Sequence, residues 1–260
     1  MPRKVSTRNA AFQQWQALLT NRTKRQRAGE FLVQGVRPIT LAVEHGWEIR
    51  TLLHGGGSRS RWAEELLCRH DHAELSAELM RELGEKDDQE LIAVVGLPED
   101  RLDRISPRDD LLVVVFDRPA TPGNIGTLIR SADAFGAHGV IVTGHAADPY
   151  DPRAVRASTG SLFAIPVVRV PSHHEVLAWA TGRIVATDEH GAVDVADADL
   201  TGPTVVLIGN ETTGLSAAWR EAANETVRIP ITGAASSLNA ASAATVVLYE
   251  AARQRRRASG

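Results

Sequence analysis

Apolar positions in the first third of the chain alternate between helical and strand spacing. Phe12, Trp15, Leu18 and Leu19 recur at helical intervals and predict an amphipathic helix over residues 8–20. The basic run Asn21–Arg27 then reads as a loop. FLVQG (31–35) predicts a short strand, residues 37–45 a helix and residues 49–53 a second strand. Helices are expected over 60–70, with Leu66 and Leu67 inward, and over 76–85; LIAVV (91–95) closes a further strand. This alternation predicts a small α/β domain over residues 1–97. The charged stretch GLPEDRLDRISPRDD (96–110) carries two prolines and predicts a linker, placed at 98–108.

From residue 109 to 260 the pattern changes character. LLVVVFD (111–117), GVIVT (139–143), RIVATD (183–188) and TVVLIG (204–209) are continuous apolar runs, which suit strands buried on both faces of a parallel sheet. AIPVVRV (164–170) and TVRIP (226–230) are shorter strand candidates, and helices fit near 124–136, 151–160 and 173–181. Ligands of open α/β sheets bind beyond the carboxyl ends of the strands. Those ends carry FDRPATPGNIG, TDEHGA, IGNETTG and IPITGAASSLN, four loops rich in Gly, Asn, Thr and Ser. The final helix opens in SSLNAASAAT (236–245), with Ser236 or Ser237 as its expected N-cap. Its first turns are almost all small residues, which permits close approach of other backbone.

Composition narrows the class. A hydrophobic content of 43% and a charged content of 23% are ordinary for a soluble globular protein. No apolar run is long enough to cross a bilayer, and MPRKVSTRNA lacks the apolar core of a signal peptide, so a cytoplasmic protein without a membrane partner is expected. A single cysteine, Cys68, excludes an internal disulfide framework. It falls in a helical stretch, where a buried, inert thiol is expected. The net charge of −3 argues against a generic nucleic-acid binder, but its distribution is uneven. Residues 1–30 carry +6 and residues 251–260 carry +4, leaving −13 on the remainder. Basic ends on an acidic body fit particular faces that meet phosphate; solvated tails would give the same count.

Three stretches carry candidate chemistry. In Asp117–Gly126, Asn124 can cap the coming helix, and Arg130 follows six residues later, about two turns along. In Ile208–Ser216 a strand runs directly into a polar turn containing Glu211. The third stretch is Ile229–Gly233 followed by SSLNAASAAT. Neither a Gly-x-Gly-x-x-Gly loop nor a Gly-Lys-Ser phosphate loop is present, so nicotinamide and P-loop readings are weak. His70-Asp71-His72 has no cysteine partners and is not expected to bind metal. Singly, each stretch has a structural explanation: a cap, a turn acid, a tightly packed helix.

In this order and spacing, PGNIGTLIRSADAFGAHGVIV (122–142), IGNETTGLS (208–216) and IPITGAASSLNAASAATVVLYE (229–250) resemble the three signature motifs of the SpoU/TrmH family of RNA 2′-O-ribose methyltransferases, within the SPOUT superfamily. RASTGSLFAIPV (156–167) resembles the family's connecting segment, and FLVQG its FLVEG stretch, with Gln34 replacing the usual acid. The first domain looks like the family's small ribosomal-protein-like RNA-binding domain. The resemblance implies a deep trefoil knot in a mostly parallel sheet, S-adenosyl-L-methionine held in that knot, and a homodimer joined near it. It implies catalytic roles for Asn124, Arg130, Glu211, Ser237 and Asn239, and cofactor contacts at Gly209, Ile229 and Leu238. Relatives often carry Val-Ser-Val where this chain has Ala240-Ala241-Ser242.

The expected activity is therefore transfer of a methyl group to a ribose 2′-hydroxyl in RNA, without metal. Arg22, Lys24, Arg25, Arg27 and Arg37 are the expected contacts to RNA phosphates. The N-terminal domain favours rRNA as substrate. A tRNA 2′-O-methyltransferase, or a catalytically silent RNA-binding protein of the same fold, are the alternatives.

Overall fold

Residues 3–84 and 89–258 are described in a computed structural model, and their chain forms two compact units. The first comprises residues 1–98 together with 150–164; the second comprises 99–149 and 165–260. The expected boundary is corrected on two counts. Residues 98–108 are not a free linker, because Ile105 is fully buried, Arg104 donates to the Val167 carbonyl at 3.0 Å, and Asp100 receives both the Arg169 amide and its guanidinium. Residues 150–164 pack with the N-terminal unit instead of with the rest of 109–260.

The first unit is built from β1 (Arg3–Val5), α1 (Ala10–Thr20), α2 (Arg22–Ala28), β2 (Glu30–Gln34), α3 (Val36–Glu44), β3 (Ile49–Gly55), α4 (Arg61–Leu67), β4 (His72–Leu75), α5 (Ala77–Leu83) and β5 (Leu91–Gly96). Its sheet runs β1-β4-β3-β5-β2, with β5 antiparallel to both neighbours and the remaining pairs parallel. Phe12, Trp15 and Leu18 of α1 bury against Leu32, Leu53, Ile92 and Val94 of the sheet, as the helical spacing predicts. β1 and β4 were not anticipated: each is short and at least half polar. Helix 76–85 is observed as α5; its last expected position, residue 85, lies outside the described residues.

The expected loop Asn21–Arg27 is helix α2. The Asn21 side chain caps it by accepting from Lys24 N at 3.0 Å, and Gly29, at φ +65°, closes it in the left-handed region. RTKRQRA contains no helix breaker, but it also lacks the apolar stripe that would mark it as a helix. Cys68 is corrected as well: it is the C-cap of α4 and is exposed, since the buried face of that helix ends at Leu66 and Leu67.

Two helices from further along the chain, α7 (Pro152–Ser158) and α8 (Ser161–Ala164), complete the first unit. Phe31 of β2 stacks on Phe163 and lies 5.0 Å from the Tyr150 ring, while Trp47 Nε1 donates to the Phe163 carbonyl at 3.1 Å. Gly160 sits at φ +102°, a conformation that side-chain-bearing residues avoid, and a Cβ there would also push on Leu41 Cδ1.

The second unit contains β6 (Leu112–Asp117), α6 (Pro122–Ala134), β7 (Gly139–Thr143), β8 (Val167–Val170), α9 (His173–Trp179), β9 (Arg183–Thr187), β10 (Val193–Asp194), β11 (Thr204–Ile208), α10 (Ala217–Ala222), β12 (Glu225–Arg228) and α11 (Ala240–Ala258). Its seven strands are ordered β10-β12-β9-β11-β6-β7-β8, and every pair is parallel. Each residue of β6, β7 and β11 is buried, as their unbroken apolar runs require. Helix α11 lies along α6: Ser131 Oγ is 2.7 Å from Thr245 Oγ1, and the Phe135 and Tyr249 rings meet edge-on at 5.8 Å. Ala241 and Ala244 are buried, so the small first turns do serve close packing.

The basic end of α11 is partly structural. Arg255 donates to the carbonyls of Leu200, Gly202, Asp110 and Leu111, and Arg253 pairs with Glu250. Arg256 and Arg257 are exposed. Among the described residues, no helix is long and apolar enough to cross a membrane.

Candidate functional site

Because all seven strands of the second unit run the same way, their carboxyl ends share one edge, and the polar loops converge there. A cavity of about 560 Å³ opens at this edge. Its walls come from the loop after β9 (Thr187–His190), the turn after β11 (Ile208–Gly214), the segment after β12 (Ile229, Ile231) and the start of α11 (Ser237–Ala240, Ala243). Of the expected site residues, Gly209, Glu211, Ile229, Ser237, Leu238 and Asn239 line it.

The turn after β11 owes its shape to two residues. Asn210 and Gly214 exchange backbone hydrogen bonds, and the Asn210 side chain accepts from the Thr212 and Thr213 amides. At Gly209 a Cβ would sit 2.5 Å from Gly214 C and Leu215 N, so only glycine fits that crossing. The tight turn presents Glu211 towards the loop after β6. Its carboxylate accepts from Ala120 N at 3.0 Å, Thr121 N at 3.2 Å and Asn124 Nδ2 at 2.9 Å. Partial burial alone would push this carboxyl up; the three donors outweigh it and hold the group below the usual carboxylate range. Glu211 is therefore ionised at neutral pH.

Asn124 relays the connection. Its Oδ1 accepts from Asn239 Nδ2 at 3.2 Å, and Asn239 Oδ1 accepts from Ala241 N and Ser242 N. Residues far apart in sequence thus form one chain, Glu211–Asn124–Asn239, joining all three motifs. Two expected caps are corrected. Asn239 caps α11 in place of Ser236 or Ser237, because its carboxamide oxygen reaches the first-turn amides. Asn124 is not a cap: Thr121 holds that position, with Pro122 at the first helical position and Asn124 inside α6.

Arg130 is not brought into this cavity. Six residues advance an α-helix by one full turn and about two-thirds of the next, so Arg130 projects about 120° away from Asn124. It is exposed, and its side chain makes no hydrogen bond or ion pair with another described residue.

Sequence reasoning missed a second tie between motif loops. Arg118 adopts φ +51°, in the left-handed region that non-glycine residues avoid. Its carbonyl accepts from Asn210 Nδ2 at 2.6 Å, and its guanidinium donates to the Gly214 carbonyl at 3.0 Å and to Asp117 at 3.1 Å. Asp117, almost fully buried, also accepts from Ser216 N and Thr143 Oγ1. The one available signal was a charged pair closing an apolar strand. Asp188, Glu189 and His190, from the TDEHGA loop, also line the cavity and had no assigned role.

In the first unit, Lys24, Arg27 and Arg37 are exposed and Arg22 is half-buried. Arg25 is corrected: only 2% exposed, it donates to the Leu18 carbonyl at 2.7 Å and lies 3.7 Å from Asp151, so it is a structural residue.

Comparison with known proteins agrees with this geometry. Residues 111–249 match the SpoU rRNA Methylase family, and residues 9–93 match the SpoU L30e-like domain. The chain is 60% identical, over 97% of its length and 93% of the relative's, to a 23S rRNA (uridine(2479)-2′-O)-methyltransferase of Streptomyces viridochromogenes. The crystal structure of the SpoU methyltransferase AviRb from Streptomyces viridochromogenes, in complex with the cofactor AdoMet, superimposes with a TM-score of 0.91 at 61% identity, covering 96% of this chain and 99% of that one. An AdoMet-bound rRNA methyltransferase from Sinorhizobium meliloti follows at 0.88 and 32% identity, covering 96% and 97%. With three motif loops joined by one hydrogen-bond chain and a match spanning nearly the whole sequence, the chain belongs to the SpoU rRNA methylase family.

Proposed function

We propose that this protein is an S-adenosyl-L-methionine-dependent methyltransferase acting on a ribose 2′-hydroxyl in rRNA. The observation that carries this reading is the Glu211–Asn124–Asn239 chain at the edge of the cavity. The cavity's chemistry suits the cofactor. Leu238, 41% exposed, with Ile229, Ile231 and Val227, offers apolar surface for a purine; Gly209, Ala240 and Ala243 leave room; and Asp188, Glu189 and Glu211 favour a cation. When bound, S-adenosylmethionine supplies an electrophilic methyl group and departs as a neutral thioether.

The protein's own part is positioning and charge management. Glu211, ionised, locks the Asn124 amide, which in turn sets Asn239 at the mouth of the cavity; Ser237, exposed on the cavity wall, is read as a contact to the ribose. The 2′-hydroxyl proton must leave during attack, and a guanidinium stays protonated in proteins. Arg130 is therefore read as orienting a flanking phosphate or stabilising the developing alkoxide. The reading includes a homodimer through the second unit. It is supported by Val246 and Tyr249 of α11, which are 37% and 50% exposed beside exposed Arg130 and Ala134 of α6. A trefoil knot around α11 and a cytoplasmic location belong to the same reading. A crystal structure that shows α11 unthreaded would remove the knot from it, and a monomer in analytical ultracentrifugation would remove the dimer.

The test is direct. Incubated with rRNA transcripts and S-adenosylmethionine, the protein should yield 2′-O-methylnucleosides by mass spectrometry. Arg130→Ala should abolish turnover while leaving melting and cofactor affinity intact. A wild-type protein with no heat of cofactor binding and no methylated product would overturn the proposal.

A further inference from the structure

The loop after β9 carries none of the three motifs, yet it is built as tightly as the turn after β11. Asp188 N donates to the Val227 carbonyl at 3.0 Å, and the Asp188 carbonyl accepts from Gly191 N at 3.1 Å. The Asp188 side chain closes the turn from within, its Oδ1 accepting from His190 N at 2.9 Å. Gly191 lies so close to β12 that a Cβ would sit 2.4 Å from Val227 C, a backbone atom that cannot step aside. On the other side, Thr187 Oγ1 donates to the Leu207 carbonyl at 2.9 Å. The turn is thus fixed to both strands that flank β9, β12 and β11.

What this turn offers the cavity is one half-buried carboxylate, that of Asp188. The cavity wall holds three acids, Asp188, Glu189 and Glu211. Glu211 is committed to its three donors on the loop after β6 and on α6. Glu189 is exposed and lies 3.5 Å from the exposed His190 ring. Asp188 Oδ2 makes no hydrogen bond with another described residue. A partly desolvated carboxylate oxygen on a rigid turn is a strong acceptor that lacks a donor. Its position indicates which donor. The apolar surface suited to a purine includes Val227, the residue to which Asp188 N is bonded, so Asp188 borders the nucleoside end of the cavity. One carboxylate oxygen has two lone pairs. Hydroxyls on adjacent sugar carbons can converge on such an oxygen, whereas the two N–H bonds of a purine amino group diverge and only one could reach it.

We infer that Asp188 is a cofactor-binding residue, its Oδ2 accepting from the vicinal hydroxyls of the cofactor's own ribose. It anchors the nucleoside end of the ligand, while the Glu211–Asn124–Asn239 chain organises the reacting end. This inference rests on the proposed use of S-adenosyl-L-methionine.

The experiment measures dissociation constants by calorimetry for the full chain and its Asp188→Asn, Asp188→Ala and Glu189→Gln variants. The probes are S-adenosylhomocysteine, its 2′-deoxy and 3′-deoxy counterparts, and its counterpart lacking the purine amino group. Asp188→Asn keeps an oxygen for His190 N, so the turn and the melting temperature should stay at wild-type values. A hydrogen bond to a charged acceptor corresponds to roughly 10–100-fold in affinity, and the wild type should prefer the parent probe by that ratio over at least one deoxy counterpart. In both Asp188 variants the parent should bind more weakly and the ratio should shrink about fivefold or more. Glu189→Gln removes a neighbouring charge and should keep the wild-type ratio, because deleting an uncharged hydroxyl does not report the general field. A wild-type ratio in either Asp188 variant overturns the assignment and leaves the methyltransferase reading intact. So does coupling of Asp188 to the purine amino group instead of to a hydroxyl. A wild-type protein that binds none of the four probes overturns the cofactor reading itself.

Discussion

Glu211 is the most exposing place to test the site's construction. Replacing it with Ala removes the acceptor for three donors at once: the Ala120 and Thr121 amides and the Asn124 carboxamide. Hydrogen bonds to a charged acceptor contribute about 1.5–3 kcal/mol each when desolvated. Here the two backbone bonds are exposed and the side-chain bond is half-buried, so water replaces part of each. A net loss of about 1–3 kcal/mol is expected after that discount, which corresponds to about 2–4 °C of melting temperature per kcal/mol for a chain of this size. Glu211→Gln is milder. Its single oxygen can keep Thr121 N and Asn124 Nδ2, but its amide nitrogen then faces the Ala120 N–H. Turnover should suffer more than stability in both variants, because Asn124 is released and Asn239 loses its neighbour. The assay is kcat and KM for rRNA, cofactor affinity by calorimetry, and thermal melting on the same samples. Expected are at least a tenfold loss of kcat/KM for Ala, an intermediate value for Gln, and little change in melting for Gln. Wild-type kcat/KM and melting for Glu211→Ala would refute the claim that this carboxylate organises the site. Acid titration gives a second handle. The folded-state carboxyl is held low, so its stabilising contribution is complete above the ordinary glutamate range and is lost as pH falls through the folded value.

The remaining predictions concern neighbouring parts of the design. Gly209→Ala places a Cβ 2.5 Å from Gly214 C and should cost at least tenfold in cofactor affinity by calorimetry; unchanged binding would mean that the turn can shift freely. Arg118→Ala removes the guanidinium that bridges Asp117 and Gly214 and should lower kcat severalfold more than Arg118→Lys; equal values for the two would dismiss the bridge. His138 Nδ1 accepts from Leu112 N at 3.0 Å, and burial holds its pKa below the ordinary 6.5. The folded state therefore favours neutral imidazole, its contribution is present above pH about 6.5 and lost below it, and melting should fall between pH 7.5 and 5.5 by more in the wild type than in His138→Ala. Arg25→Met removes the donor to the Leu18 carbonyl and one of the two arginines beside Asp151, and should destabilise the first unit by about 1–3 kcal/mol in denaturant unfolding, whereas Lys24→Gln should leave unfolding unchanged.

The parallel sheet was legible because its strands are buried on both faces and so read as unbroken apolar runs. The cavity was legible because the polar loops had to emerge at the carboxyl ends of those runs. The partners inside it were less so. Asn124 and Asn239 could be named as polar residues, but their roles as relay and cap depend on a meeting across 115 residues of chain, which local spacing does not encode. Helix α2 was hidden because it is polar all round; its cap and its αL glycine were visible, yet no apolar stripe supported them. Arg25 looked like its neighbours in composition, and only the tertiary position of Asp151 separates it from them. Arg130 follows Asn124 by six residues, short of two full turns, so the helix itself does not return it to the Asn124 face.

The chain passes from one unit to the other at 98–99, 149–150 and 164–165. The N-terminal body is thus not a detachable module. Cutting after residue 98 would strip Tyr150 and Phe163 from the rings of Phe31 and Trp47, leaving an open aromatic pocket and taking the Asp151 carboxylate from Arg25. A fusion made at residue 98 alone would therefore carry an incomplete body. Any graft of this body has to bring the fifteen-residue excursion 150–164 along with residues 1–98.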